Sequence, residues 1–291
     1  MLIRYACQAM GTQFEAFLFG QDQSHLDAAA NALWEKARSI ERLLSRFDSA
    51  SEVYRVNRLA SRQSVRISVE LLSILQSCRE YCGLTQGSFD VARDAESRGA
   101  DRHMELDVAK RVVQFSKSAI TLDFGGFGKG YALDRMSELL TESGISSALI
   151  HAGTSSILAI GNGPHGNGWP VVIDDPYSQG MRAGRVMLSD YALSCSGVFR
   201  AGQEISDIVD RKTGQPLQFQ SHCIVLAPSA AEAEALSTAC LAMGYERASV
   251  WATEHDMARC NIGFIDSPKR SPRLRWISKN PARSFVPLEA S

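Results

Sequence analysis

A glycine-rich turn near the middle of the chain carries residue types that can bind an anionic group. From Ile120 to Phe124 apolar and polar residues alternate as in a strand, and four glycines follow, at 125, 126, 128 and 130. A helical pattern begins after these glycines, and Gly144 ends it. Backbone N–H groups at such a turn, near the positive end of a helix dipole, favour a phosphate. The plainer alternative is a tight strand-to-helix connection.

A carboxylate and a hydroxyl lie one helical turn apart in the last clear helix. Glu234 and Thr238 are four residues apart, so both side chains project from the same face. Carboxylate, hydroxyl and carbonyl oxygens are ligands that Mg²⁺ accepts, often together with substrate phosphates. By itself such a pair is more often part of a solvated helix face or a capping contact. It indicates a metal site only in combination with the glycine turn.

Several familiar catalytic motifs are absent from the sequence. Lys129 is followed by glycine, which breaks a Walker loop, and the dinucleotide fingerprint GxGxxG is out of register. The six histidines show no HxxxH or HExxH spacing, which argues against a zinc enzyme. GxSxG is absent and Ser196, in SCSG, has no base identifiable by spacing. Acyl hydrolysis therefore has no support.

The elements that must position these residues alternate between strands and amphipathic helices. A long helix is predicted from Leu26 to Phe47, with Ser24 and Asp27 as its capping box, and a second from Ser68 to Cys82. Ser229 and Glu232 form a capping box for the helix that carries Glu234. Strands are predicted over MGTQFEAFLFG, SHCIVLAP and CNIGFID, and paired strands over SSALIHAGTSSILAIG and WPVVIDDP. Residues 45–58 are predicted to form turns, and 94–110 to have little structure.

Composition describes an ordinary globular chain. The 31 basic and 32 acidic residues give a net charge of −1, so there is no electrostatic footprint for nucleic acid. No apolar run reaches the length of a membrane span and no signal peptide is recognised, so we expect a cytoplasmic protein. The seven dispersed cysteines, without a CxxC pair, argue against a disulfide framework or a zinc knuckle.

An ordered set of short motifs over most of the chain resembles the ApbE family of FAD:protein FMN transferases. The motifs are MGT, LSRFDSASEVYRVNR, GSFD, LDFGGFGKGYALDR, WPVVIDDP, SCSG, IVDRKTG and AEALSTACLAMG. GGFGKGYALD is similar to the family's GGIAKGYAVD, and AEALSTA to its ADALATA. The resemblance implies an α+β fold over residues 1–291, a single domain of two lobes with mostly antiparallel sheets, packed helices and a tail at 280–291.

The resemblance also implies a reaction and a set of site residues. FAD would lie in an elongated pocket with Mg²⁺ on its pyrophosphate, and FMN would pass to a Thr or Ser hydroxyl of a partner protein with release of AMP. By motif match, Glu234, Thr238 and the backbone carbonyl of Gly126 would hold the metal. The positions that match the flavin or adenine sites are Met10, Tyr54, Ser88, Phe89, Asp90, Asp123, Lys129 and Ile208. Asp207 occupies the position of the proposed general base.

Three departures from the family pattern leave the activity open. The family's HIIDPRTG is DIVDRKTG here, so Asp207, with a much lower unperturbed pKa, replaces a histidine. The family's metal-binding Asp is Glu234, one methylene longer, and residues 94–117 form a shorter segment than expected. Besides transfer, the sequence is compatible with an FAD-binding protein without transfer, an FAD pyrophosphatase giving FMN and AMP, and a noncatalytic scaffold.

Overall fold

A computed structural model describes residues 1–94, 103–177, 182–197, 209–210, 215–216, 221–266 and 273–277. Within these residues there are six helices: α1 (Gln23–Leu44), α2 (Glu52–Leu59), α3 (Val69–Leu84), α4 (Gly128–Glu142), α5 (Ala230–Met243) and α6 (Tyr245–Glu254). None of the helices in the described ranges is both long and apolar enough to cross a membrane.

The main sheet has eight strands, numbered here along the chain together with those of the smaller sheets. Its spatial order is β1 (Leu2–Ala9), β2 (Thr12–Phe19), β8 (Ala148–Ala152), β9 (Ser156–Ile160), β12 (Ala192–Gly197), β15 (Ser221–Ala227), β16 (Asn261–Asp266) and β17 (Arg273–Trp276). Its neighbouring strands pair antiparallel. The sheet and its helices confirm the predicted α+β class.

Four smaller antiparallel sheets surround the main one. They are β3 (Val65–Arg66) with β6 (Val112–Phe115) and β5 (Met104–Asp107), β4 (Ala92–Asp94) with β7 (Ile120–Leu122), β10 (Trp169–Asp174) with β11 (Arg182–Leu188), and β13 (Val209–Asp210) with β14 (Gln215–Pro216). The β4–β7 pair leads directly into the glycine turn and so sets where α4 begins.

The main sheet separates two apolar clusters because side chains alternate along each strand. In β15, Cys223 and Val225 pack into the cluster formed with the helices, whereas Ile224 and Leu226 pack on the opposite face with β10 and β11. We call these the helical face and the hairpin face. Central strands such as β9 and β15 are therefore buried on both sides, whereas the edge strand β1 exposes alternate residues.

Helix α5 is the central helix of the helical face. Thirteen of its 14 residues are buried, and Thr238 is the exception. An apolar helix that is buried all round belongs to the core of a protein of this size. Thr238 is therefore the one residue of α5 that is partly exposed.

Four sequence predictions of local structure are wrong. α1 is capped by Asp22, whose carboxylate accepts the N–H groups of Ser24 and His25, so Ser24 and Asp27 do not form its capping box. Residues 52–59 form α2 rather than turns, because Ser51 caps the helix and Val53 and Val56 bury one face. The other two errors concern strands.

The segment expected to have little structure contains an antiparallel hairpin. β5 and β6 pair through residues 104–115, and Arg111, with a φ of 55°, lies in the turn between them. Each strand has only four residues, which is too short for a clear alternation of apolar residues. The predicted partner of WPVVIDDP was also wrong: β8 and β9 pair with each other, whereas β10 pairs with β11.

Candidate metal and phosphate site

The two halves of the predicted site meet where α4 crosses the start of α5. A Cβ placed on Gly130 would lie 2.3 Å from the carbonyl oxygen of Ala230, so only glycine permits this approach. Asp134, one turn further along α4, accepts hydrogen bonds from the Ser229 hydroxyl at 2.7 Å and from the N–H groups of Ala230 and Ala231 at 2.7 and 2.9 Å. The side chain of one helix thus caps the other helix.

The role of Asp134 at a second helix could not be predicted from the sequence. Burial raises the pKa of its carboxyl, and the hydrogen bonds from Ser229 and α5 oppose that shift. No local spacing connects Asp134 with Ser229, 95 residues away. The serine itself was predicted correctly as the N-cap of α5, since its Oγ accepts the N–H of Glu232 at 3.2 Å.

Gly126 and Thr238 are neighbours, as a metal held by both requires. A Cβ on Gly126 would lie 3.0 Å from Thr238 Oγ1, so the turn and the helix hydroxyl are in contact distance. The surrounding side chains are polar, and they include Lys129, Ser196 and Glu234. The gap between the turn and the helix is therefore lined with groups that can hold a cation or a phosphate.

Glu234 is buried but well compensated. Its side chain is 4% exposed, its Oε2 accepts the N–H of Gly130 at 2.6 Å, and its Oε1 accepts the ammonium of Lys129 and the hydroxyl of Ser156, the latter at 3.3 Å. A buried carboxylate without such partners would be strongly destabilising. The contacts hold the carboxylate in one orientation, one helical turn from Thr238.

The donor set fits a hard divalent cation better than zinc. The described ranges contain no group of three or more His, Cys, Asp and Glu side chains placed to hold a metal. Glu234, the Thr238 hydroxyl and peptide carbonyls of the glycine turn supply oxygen ligands, as Mg²⁺ prefers, and phosphate oxygens could complete the shell. Lys129 Nζ also lies 3.4 Å from the carbonyl oxygen of Gly125, so its ammonium neutralises the same group of oxygens.

Asp123 lies on the other side of the glycine turn and has different partners. Its carboxylate contacts Arg93 at 2.8 Å and Arg46 at 3.6 Å and accepts the N–H of Gly125 at 3.0 Å. Two arginines thus hold Asp123, and the hydrogen bond to Gly125 shapes the turn. Its predicted place beside the cofactor stays a prediction.

Tyr54 and Met10, two of the predicted cofactor-binding residues, have different surroundings. Tyr54 lines a surface groove of about 330 Å³ together with Arg46, Asn57, Arg58 and Thr121. Asn57 fixes this groove against the turn, because its amide exchanges two hydrogen bonds with the backbone of Leu122. Met10, with a φ of 52°, lies in the β1–β2 turn, and a Cβ on Gly128 would lie 3.2 Å from its methyl group.

Three predicted site residues of the GSFD motif, Ser88, Phe89 and Asp90, have different surroundings. The Phe89 ring is 3% exposed and packs against Tyr81 and Phe127, so in this structure it supports the core below the turn. Asp90 accepts the N–H of Ala92 at 2.8 Å, and Ser88 donates its N–H to Thr85. Contact of these three residues with a flavin stays a prediction.

Asp207 and Ile208 lie outside the described residues. His222, on β15, does not take the place of a base beside Thr238, because it lies on the hairpin face. Its Nδ1 is 3.3 Å from the Tyr177 hydroxyl, and burial lowers its pKa. The structure adds Ser156 and Ser237 to the polar groups around the site, and nothing in their spacing could have selected them. Ser196 lies in the SCSG motif, but the sequence does not show its contact with Thr238.

This arrangement is that of an α+β protein in which a glycine turn lies against the polar side chains of a buried helix. The model of the ApbE family matches residues 10–261, and the chain belongs to that family. The resemblance seen in the sequence is thereby confirmed.

Relatives and solved structures of this family align over most of the chain. The FAD:protein FMN transferase of Klebsiella pneumoniae is 23% identical over 86% of this chain and 81% of its own. The flavin transferase ApbE from Vibrio cholerae superposes with a TM-score of 0.80 at 20% identity, covering 95% of this chain and 97% of that one. The ApbE protein of Thermotoga maritima also gives 0.80, at 21% identity, covering 91% and 94%. These structures show that the fold is shared.

Proposed function

We propose that this protein is an FAD:protein FMN transferase that depends on Mg²⁺. Family membership and the names of the relatives support the activity, and the juxtaposition of Gly126, Thr238 and Glu234 carries the proposed metal site. FAD is the donor, a Thr or Ser hydroxyl of a partner protein is the acceptor, and AMP is the leaving group.

The chain's own groups have distinct tasks in this reaction. Glu234, Thr238 and the carbonyl of Gly126 would hold Mg²⁺, which would neutralise charge on the pyrophosphate of FAD. The glycine turn lies at the start of α4, where the positive end of the helix dipole would favour a phosphate. Lys129, now paired with Glu234, has a flexible stem that lets its ammonium follow a phosphate oxygen.

The transfer forms one bond, breaks one bond and needs one base to remove a proton. The acceptor oxygen forms a bond to the phosphorus of the FMN half, the bond from that phosphorus to the AMP oxygen breaks, and AMP leaves. The acceptor hydroxyl must lose its proton, and we assign that proton to the carboxylate of Asp207. Because an unperturbed aspartate has a pKa of about 3.9, it remains a base under conditions where a histidine is protonated.

The replacement of histidine by Asp207 also supports two other activities. Water could replace the protein hydroxyl as acceptor, which would give FMN and AMP from FAD. Alternatively, the chain could bind FAD without cleaving it. Both retain the metal and phosphate groups and differ from transfer only in the fate of the FMN half.

One experiment separates these activities. The purified chain is incubated with FAD, Mg²⁺ and a threonine-bearing acceptor peptide, and both fluorescent peptide and free AMP are quantified from pH 5 to 9. Transfer gives peptide-bound flavin and AMP in equal amounts, hydrolysis gives AMP alone, and a binder gives neither despite FAD affinity. Absence of flavinylated peptide at every pH would overturn the proposed transferase.

Asp207 can be tested in the same assay. We expect Asp207→Ala to lower the transfer rate by about 10²- to 10⁴-fold, the usual contribution of a positioned general base. Asp207→His should restore transfer and move the acid limb of the pH–rate profile up towards the ordinary histidine pKa of about 6.5. A profile that is identical in all three proteins would exclude Asp207 as the base.

A further inference from the structure

A chain of hydroxyl groups connects Thr238 with the interior of the helical face. Thr238 Oγ1 is 3.4 Å from Ser196 Oγ, and Ser196 Oγ is 2.8 Å from Ser237 Oγ. Ser237 Oγ is also 3.0 Å from Ser194 Oγ and donates to the carbonyl oxygen of Glu234 at 3.1 Å. Ser237 is fully buried, so these protein groups are its hydrogen-bond partners.

The positions of the protons in this chain follow from the carbonyl at its end. A hydroxyl has one proton and two lone pairs. Ser237 gives its proton to the Glu234 carbonyl, so it must accept from both Ser194 and Ser196. Ser196 has then used its proton, and its remaining contact, with Thr238, requires Thr238 to be the donor.

The usual alternative partner for the Thr238 proton is already saturated. A threonine inside a helix commonly donates to the carbonyl four residues earlier, which here is that of Glu234. Within α5 that carbonyl accepts the N–H of Thr238, and it also accepts the Ser237 hydroxyl. Both of its lone pairs are therefore occupied, and among the described protein groups Ser196 is left to accept the Thr238 proton.

We infer that Ser196 is a positioning residue that makes the Thr238 hydroxyl an acceptor toward the metal. A hydroxyl that ligates a cation must direct a lone pair at it, so its proton must have another partner. Ser196, on β12, is the partner that accepts this proton. The separation of 3.4 Å is long for a hydrogen bond between hydroxyls, and a cation that polarises the O–H bond would strengthen it. This inference rests on the proposed function.

The test compares two serines whose side-chain hydrogen bonds differ in one partner. The hydroxyls of Ser196 and Ser194 both contact the Ser237 hydroxyl, but of the two only Ser196 contacts Thr238. The full-length chain, saturated with FAD, is titrated with Mn²⁺ at pH 7, and the free ion is quantified by electron paramagnetic resonance. We expect Ser196→Ala to weaken Mn²⁺ binding about 10- to 100-fold, the usual effect of losing an outer partner of a metal ligand.

The controls separate positioning from packing and from failure of the proposed site. Ser194→Ala should change Mn²⁺ affinity less than about 3-fold, and Ser196→Thr, which keeps a hydroxyl, should recover most of the loss. Wild-type affinity in Ser196→Ala, with binding lost in Glu234→Gln, would overturn this inference and leave the metal site intact. An equal loss in Ser194→Ala would also overturn it. No Mn²⁺ binding by the wild-type chain would overturn both the inference and the proposed metal site.

Discussion

The two faces of the main sheet both bury polar groups, but in different ways. On the helical face, Glu234 contacts Lys129 and Ser156, and Ser196 contacts Thr238, the partly exposed residue of α5. On the hairpin face, the buried polar groups include two histidines, His151 and His222. Burial lowers the pKa of both rings, and within the described structure the Nε2 atom of His151 has no hydrogen-bond partner.

The difference shows what buried polar groups need in order to be useful. A carboxylate can be retained at low exposure when donors hold it, and it then offers its remaining lone pairs to a cation. A histidine can instead become neutral, since its pKa lies close to neutrality and burial lowers it further. The helical face therefore keeps the charge of Glu234 in a defined place, whereas the two histidines of the hairpin face become neutral. The following variants test that contrast.

The largest effect is expected from removing the charge of Glu234. Glu234→Gln keeps the size of the side chain but loses one negative charge and places an amide opposite Lys129 or the Gly130 N–H. We expect Mn²⁺ affinity to fall about 10- to 100-fold, measured by titration calorimetry both with and without FAD.

Asp123→Asn is the matched control for this variant. Asp123 is also an acidic residue beside the glycine turn, but two arginines hold it. Mn²⁺ affinity measured without FAD should therefore change less than about 3-fold. If the two variants weaken Mn²⁺ equally, the metal responds to net charge rather than to ligation by Glu234.

The sequence predicted the two ends of the site but not what joins them. The glycine turn, the N-cap Ser229 and the Glu234–Thr238 pair are local patterns, and a local pattern can be recognised without knowing the fold. Asp134 and Ser196 act across 95 and 42 residues, so their roles depend on which helix and strand become neighbours. The same limit explains why β10 was paired with the wrong strand, since pairing is a tertiary property.

Gly130→Ala is expected to have the second-largest effect. Its Cβ would lie 2.3 Å from the Ala230 carbonyl oxygen, so α4 and α5 would have to separate. Overpacking of this kind costs about 1–3 kcal/mol, and we expect that loss in the free energy of unfolding measured with urea. Mn²⁺ binding should weaken as well, because the N–H of residue 130 would move away from Glu234.

Gly83→Ala is the control for the glycine substitution. Gly83 lies near the end of α3, and a Cβ there would meet nothing within 4 Å. Alanine is favoured over glycine in a helix by up to about 1 kcal/mol, so this variant should be neutral or more stable. Equal destabilisation by both substitutions would contradict the close approach of α4 and α5.

A smaller effect, of opposite sign, is expected from Lys129→Met. The ammonium of Lys129 pairs with Glu234 and lies near the Gly125 carbonyl, so it competes with a cation for the same oxygens. Without FAD, the variant should bind Mn²⁺ several-fold more tightly, and Mn²⁺ should raise its melting temperature more than that of the wild-type chain. Weaker Mn²⁺ binding in the variant would show that Lys129 supports the metal site instead of competing with it.

The smallest effect is expected on the hairpin face, from the pH dependence of stability. Burial lowers the pKa of His222, and the charge of Asp175 opposes that shift only in part. The unfolded chain therefore binds more protons than the folded one below the ordinary histidine pKa of about 6.5. The stability contributed by neutral His222 is present above that pH and is lost as the pH falls through the lowered pKa of the folded state.

His222→Gln removes this titration, so the free energy of unfolding should fall less between pH 7 and 5 than in the wild-type chain. His165→Gln, in an exposed loop, serves as the control and should keep the wild-type slope. Mn²⁺ affinity should stay at the wild-type value in both variants, because His222 lies across the sheet from Glu234. A change in Mn²⁺ affinity in His222→Gln would show that the two faces are coupled, and the contrast between them would then fail.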